Sequence, residues 1–225
     1  MLWERKLKES ENFMYPFFDI HTHCLEYDKK GYRIVNLDFK QAKQILAENN
    51  NEFFSTGFHP CFLENFSESN FEKLKFLAND NRVKAIGECG LDKNSNFDLK
   101  TQIFAFEKQI YLSEETEKPL VIHCVGKINE LLEIKNTLKP VQLWIIHGFR
   151  GKPQLAEQIL KAGCALSFAE FFNTESLKIT PFNKLFVETD ESAKPIEEIY
   201  FNIAKIKNCK IEDLDAGKRL FENFL

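Results

Sequence analysis

The residues of this chain with the most chemical capacity are few and are placed alike. Histidine occurs five times in 225 residues, as His21, His23, His59, His123 and His147. Each ends or directly follows a short apolar run: Asp19-Ile20-His21-Thr22-His23, Thr56-Gly57-Phe58-His59-Pro60, Val121-Ile122-His123 and Ile145-Ile146-His147. Two acids stand in the same kind of place, Glu88 in Ile86-Gly87-Glu88-Cys89-Gly90-Leu91-Asp92 and Asp190 in Val187-Glu188-Thr189-Asp190. Imidazole and carboxylate together ligate divalent cations. His21 and His23 are two apart, so on a strand they project to one side and can share one ion. Asp190 completes that first site. Glu88 has two carboxylate oxygens and can bridge to a second ion held by His123 and His147. Two cations ~3.5–4 Å apart lower the pKa of a bridging water and clamp a phosphoryl or carbonyl oxygen. Asp190 and Glu88 are then the catalytic acids, with Asp190 serving as ligand and as general base.

Each residue alone has a plainer reading, as a loop contact, a cap or an ion-pair partner. Their recurrence at equivalent positions is what favours the metal centre. Three candidate substrate contacts are His59, in a His-Pro turn, Arg150 in His147-Gly-Phe-Arg150-Gly-Lys152-Pro, and Lys127 in His123-Cys-Val-Gly-Lys127. The two basic residues read equally well as solvated surface. Phe62, Phe66, Phe168, Phe171 and Phe172 fall on the same loops, either as core or as faces for stacking on bases. Cys24, Cys89 and Cys124 each follow a candidate ligand and by alternation point away from it, as packing residues.

The elements that must position these groups alternate along the chain. Apolar runs at Phe17–Thr22, Tyr32–Leu37, Glu52–Phe58, Val83–Cys89, Pro119–Cys124, Val141–His147, Cys164–Ala169 and Lys184–Thr189 read as strands buried on both faces. Charged, helix-periodic segments lie between them, at Asp38–Asn49, Phe71–Asn79, Asp98–Glu117, Ile128–Leu138, Pro153–Ala162 and Pro195–Lys207, with a last helix near Ile211–Phe224. Strand-helix alternation of this length predicts an α/β chain, a (β/α)8 TIM barrel, with an open doubly wound sheet as the other solution. In a barrel every candidate residue falls on the rim at the strands' C-terminal ends, where such folds hold their sites. The stretch from His23 to Gly31 is too short for a crossover helix, so the barrel is expected to be slightly trimmed there. The connection Glu170–Asn183 leaves room for one or two helical turns.

Composition bounds the rest. Hydrophobic residues make up 44% and charged residues 28%, as in a globular protein. Residues 1–15 are charged and form an N-terminal extension, and 16–225 form a single barrel domain. No run approaches the ~18–20 apolar residues of a membrane span, and the N-terminus lacks the apolar stretch of a signal peptide. Six cysteines without framework spacing read as reduced thiols of a cytoplasmic protein. The net charge of −4 argues against a globally basic nucleic-acid surface and leaves room for a local one.

The motifs, in this order, resemble those of the TatD family of metal-dependent hydrolases within the amidohydrolase-like barrels. The match is carried by Asp19-Ile-His21-Thr-His23, Gly57-Phe-His59-Pro60, Ile86-Gly-Glu88-Cys-Gly-Leu-Asp92, Gln102 with Phe106 and Gln109, Pro119-Leu-Val-Ile-His123, Ile146-His147-Gly-Phe-Arg-Gly, Phe186-Val-Glu188-Thr-Asp190 and Lys218-Arg-Leu-Phe221. The resemblance implies two divalent metal ions. His21, His23, Glu88 and Asp190 would hold one, and Glu88, His123 and His147 the other. It also implies deoxyribonuclease activity on a phosphodiester of DNA or an oligonucleotide. Histidine-rich ligation suits Zn or Mn, whereas Mg prefers oxygen. Leu25, Val125, Glu191 and Ser192 depart from the family's pattern at substrate-facing positions. Hydrolysis of a small-molecule ester, lactone or amide therefore stands as the first alternative, and a non-catalytic metal-binding scaffold as the second.

Overall fold

The computed structural model describes residues 17–25, 31–48 and 53–222. Eight parallel strands close into a barrel in chain order. They are β1 (Phe17–Thr22), β2 (Gly31–Asp38), β3 (Phe53–Gly57), β4 (Val83–Asp92), β5 (Leu120–Val125), β6 (Trp144–Ile146), β7 (Ala165–Phe168) and β8 (Leu185–Val187). The helices between them are α1 (Phe39–Glu48), α2 (Glu68–Ala78), α3 (Leu99–Thr116), α4 (Ile128–Leu138), α5 (Pro153–Lys161), α6 (Thr174–Ile179) and α7 (Ile196–Lys207), with α8 (Ala216–Phe221) after the last strand's helix. The open-sheet alternative is thus replaced by the closed barrel. Only residues 23–30 separate β1 from β2, and no helix is found there among the described residues. The expected extension at 1–15 lies outside the described residues, as does the end of the helix expected to reach Phe224.

Local sequence explains most element ends. Asp98 caps α3 by accepting from the Thr101 amide at 2.8 Å. Pro153 opens α5, where its missing N–H costs nothing. Gly163, just past that helix, takes φ +82, the left-handed conformation glycine adopts freely. The second helix begins earlier than the apolar period predicts, because Ser67 accepts from the Asn70 amide and starts α2 at Glu68. The sixth strand is shorter than its apolar run, Trp144–Ile146 rather than Val141–His147. There Val141 lies exposed, and its amide donates to Glu114 on α3 instead of to a strand.

The core follows the two faces of the strands. Ile86, Leu120, Ile122, Trp144, Ile146 and Leu166 pack outward against Phe106, Ile110, Leu131 and Ile159 of the helices. Ile145, Ala165 and Phe186 belong to a second cluster with Phe18, Ile20 and Ile34, closed by Ala216 and Phe221 of α8. Two residues on from those three lie His147, Ser167 and Glu188, so strand periodicity turns the same face from packing to chemistry at the rim. All ten residues of β4 are buried, Glu88 and Asp92 among them.

Candidate metal centre

The rim brings the six expected ligands to one place. Glu88 sits at its middle, and its two oxygens face different partners. Oε2 lies 3.1 Å from His23 Nε2 and 3.5 Å from His21 Nε2. Oε1 lies 2.7 Å from His147 Nε2, 3.5 Å from His123 Nδ1 and 3.7 Å from His59 Nε2. Asp190 Oδ1 stands 3.7 Å from the Nε2 of both His21 and His23. Four overlapping groups have ligand atoms within 4.8 Å of one another: His21-Glu88-His147, His21-His23-Asp190, His59-Glu88-His123 and His147-Glu188-Asp190.

Local structure explains each placement. His21 is the last residue but one of β1, and His23 follows on the same side, the rings 5.0 Å apart. Asp190 is tied to β1 through the backbone: its amide donates to the His21 carbonyl at 2.9 Å, and its carbonyl accepts from the His23 amide at 3.1 Å. It takes φ +55, a left-handed conformation that aims its side chain back over the rim. His123 lies within β5, and Nε2 contacts Asp92 Oδ2 at 2.8 Å, which leaves Nδ1 to face Glu88. The His59 turn is pinned from α3, where Gln109 accepts from the Phe58 amide at 2.7 Å and donates to the Phe58 carbonyl. Gln102, seven residues earlier on the same helix face, accepts from the Asp92 amide at 2.8 Å.

The electrostatics suit cation binding. Burial alone would push the Glu88 carboxyl up, but the surrounding imidazoles of His147, His21 and His123 hold it well below the usual carboxylate range. Burial lowers the basicity of His147, yet Glu88 and Glu188 on either side raise it well above that of free histidine. A hydrogen bond to Glu88 raises His23. Burial raises Asp190, partly countered by His147 and His21. His59 differs: burial pushes it down to about 4, so the ring stays neutral.

The donor set fits divalent cations on a structural test. His21 is fully buried, and neither of its ring nitrogens has a hydrogen-bond partner; His147 Nδ1 is likewise unpaired. An unpaired buried polar atom costs ~1–3 kcal/mol, a cost that ligation removes. Metal binds neutral imidazole and ionised carboxylate, so it would displace the protons that the neighbouring carboxylates draw onto His23 and His147.

The candidate substrate residues are distributed around this centre. Arg150 is exposed and lines a cleft of about 650 Å³ that runs out from Asp190, His147 and His123 between the loops after β5 and β6. Lys127, at the N-terminus of α4, is paired with Glu130 at 2.8 Å. Cys89 is buried as expected of a packing residue, whereas Cys124 lines the cleft and Cys24 is exposed. Four supporting residues have roles that motif spacing alone does not reveal. Asn36 on β2 accepts from the Glu88 amide at 2.9 Å and lies 3.4 Å from Glu88 Oε2. Asp19 accepts from the Thr189 amide and hydroxyl at 3.0 and 2.6 Å. Asp92 holds His123, and Glu188 accepts from the Gly148 amide at 2.5 Å beside His147. Asn36 does carry a signal, since an amide side chain between buried Val35 and Leu37 needs polar partners.

Known proteins resemble this chain in sequence and in fold. The family model described as TatD related DNase matches residues 22–215. A protein of Buchnera aphidicola named an uncharacterized metal-dependent hydrolase is 32% identical over 163 residues, covering 68% of this chain and 61% of that protein. A protein of Erwinia amylovora named 3'-5' ssDNA/RNA exonuclease TatD is 30% identical over 165 residues, covering 68% of this chain and 64% of its own. The chain thus spans a little under two thirds of the length of the curated relatives it matches. Among solved structures, the TatD homolog YjjV of Escherichia coli superposes with a TM-score of 0.76 at 19% identity, covering 93% of this chain and 97% of that one. A TatD family hydrolase of Entamoeba histolytica does so with a TM-score of 0.75, also at 19% identity and with the same coverage. These two likenesses establish the barrel fold.

Proposed function

The chain belongs to the TatD related DNase family, and from that premise we propose that it is a metal-dependent phosphodiesterase acting on DNA or short oligonucleotides. The observation that carries this reading is the division of Glu88, whose Oε2 faces His21 and His23 while Oε1 faces His123 and His147. That division suits two divalent ions bridged by one carboxylate. His21, His23, Glu88 and Asp190 would hold the first, and Glu88, His123 and His147 the second. When bound, the two ions would supply charge neutralisation at the scissile phosphate and acidify the attacking water. The nitrogen-rich ligand set favours Zn or Mn over Mg.

The protein's own residues do the rest. Asp190 lines the cleft and takes the proton of the attacking water. Glu88 orients both histidine pairs about its carboxylate. His59, neutral and beside Glu88 and His123, offers a hydrogen bond to substrate without adding charge. Arg150 reaches a phosphate from the cleft wall. Lys127 adds positive charge at the start of α4, damped by Glu130. Residues 16–225 act as one catalytic unit. The six cysteines, none of them in a disulfide, fit a reducing, cytoplasmic setting, and no described helix is long and apolar enough to cross a membrane.

A second reading keeps the centre and changes the substrate to a small-molecule ester, lactone or amide. The net charge of −4 favours it, because a polyanion gains little from such a surface. The test strips the protein with chelator and restores Mn, Zn or Mg separately. Cleavage of a labelled oligonucleotide should return with metal, and Asp190→Asn should lower it about 10²–10⁴-fold. A protein that takes up no metal on dialysis overturns the reading. One that takes up metal but turns over no phosphodiester, ester, lactone or amide is a metal-binding scaffold.

A further inference from the structure

Of the five phenylalanines that the sequence offers as stacking faces near the rim, the fold buries or half-buries Phe66, Phe168 and Phe172. It leaves Phe62 60% and Phe171 63% exposed. The two exposed rings follow different strands. Phe62 comes after β3 and Phe171 after β7, four places apart in a closed ring of eight, so they stand on opposite sides of the mouth. Neither ring is isolated from the site. Phe62 packs on His59 with ring centroids 5.2 Å apart, and His59 packs on His123 at 4.3 Å. Phe171 lies 5.9 Å from the guanidinium of Arg150, which lines the cleft leading to Asp190.

Charge explains why such rings would be needed. Proteins that hold single strands combine a positive groove with aromatic faces on which bases stack. At a net charge of −4, with Lys127 already paired, general attraction for a polyanion is weak here. Binding energy must then come from contacts that do not depend on net charge, and stacking is the main one available to a nucleic acid. Arg150 adds a local positive charge beside the Phe171 face, where it can meet a phosphate while the ring meets the adjoining base.

We propose that Phe62 and Phe171 are base-stacking platforms that hold a single-stranded nucleic acid across the rim, one on each side of the scissile phosphate. The proposal rests on the phosphodiesterase reading and names the residues that would recognise its substrate. Duplex DNA would bind poorly, because paired bases cannot present their faces.

The test is fluorescence anisotropy of a labelled ten-residue oligothymidylate in EDTA, so that binding is measured without turnover. Phe62→Ala and Phe171→Ala should each weaken binding about tenfold, and Phe→Trp at the same positions should restore it. An abasic strand of the same length should bind wild type and the alanine variants alike. Unchanged affinity in the alanine variants, an equal loss for the abasic strand, or no binding by wild type would overturn the proposal. Hydrolysis of methyl 4-nitrophenyl phosphate by the Mn-loaded wild type tests the underlying reading separately. Ring-dependent binding without that turnover would sink the phosphodiesterase and leave the platforms standing.

Discussion

The two histidine pairs of the centre are held by different means. His21 and His23 are fixed through the backbone. Their strand exchanges hydrogen bonds with Asp190, and buried Asp19 locks the Thr189 amide and hydroxyl beneath them. His123 and His147 are fixed through their rings, His123 by Asp92 at 2.8 Å and His147 by Glu88 at 2.7 Å, with Glu188 beside it. In the first pair the scaffold sets ring position directly. In the second a carboxylate sets which nitrogen faces the centre. One half is therefore coupled to global stability, and the other to local proton chemistry.

Four substitutions bear on that contrast, in falling order of effect. Glu88→Gln belongs to both halves, and should abolish stoichiometric uptake of two ions as measured by elemental analysis. Its activity loss should exceed the roughly 10–100-fold typical of a supporting carboxylate. Asp92→Asn should stay within that range of about 10–100-fold in metal affinity, measured by calorimetric titration, with the melting temperature little changed. If this variant instead unfolds on mild heating, the second half is no less structural than the first. Thr189→Val should behave in the opposite sense, losing ~1–3 kcal/mol of stability in urea because Asp19 keeps its burial and loses a hydroxyl partner. Metal affinity that falls while stability holds would erase the contrast.

The smallest effect concerns His59, which stands between the halves. Its folded basicity is near 4 against a usual value of 6.5. Below pH 6.5 the unfolded chain takes up a proton that the folded ring refuses, so this group lowers stability as pH falls from 6.5 towards 4. In metal-free protein, His59→Gln should be spared that loss. The difference in urea stability between the two should grow on acidification, on the order of 1 kcal/mol once partial exposure is allowed for. A difference that stays flat across this window would mean the ring protonates freely in the folded state.

Much of this arrangement is legible in the sequence. Strand-end histidines in a chain with so few of them mark one edge, and the helix expected over Ile128–Leu138 matches α4 to the residue. The gaps have physical causes. The start of α2 escapes the apolar period because its first turn is exposed and polar, and only the Ser67 cap defines it. The apolar run of β4 stops at Cys89, but pairing with β5 carries the strand on to Asp92. Asp19, Asp92 and Glu188 stand in the motifs without visible roles. Their roles depend on partners up to 170 residues away, a pairing no local pattern encodes.

The seam between β1 and β8 has a consequence for how the molecule comes into being. It consists of the Asp19–Val187 pairing, the bridge from Thr22 to Asp190, and the Tyr200 hydroxyl, which donates to the Phe18 carbonyl and accepts from its amide. Every one of these joins the beginning of the barrel to its end. Contacts so distant in sequence form late, because the closure entropy of the whole intervening chain must be met first. During synthesis the first histidine pair emerges long before Asp190, and until the eighth strand arrives the general base proposed above is missing. A half-made chain can gather imidazoles, but it lacks the last carboxylate of the group.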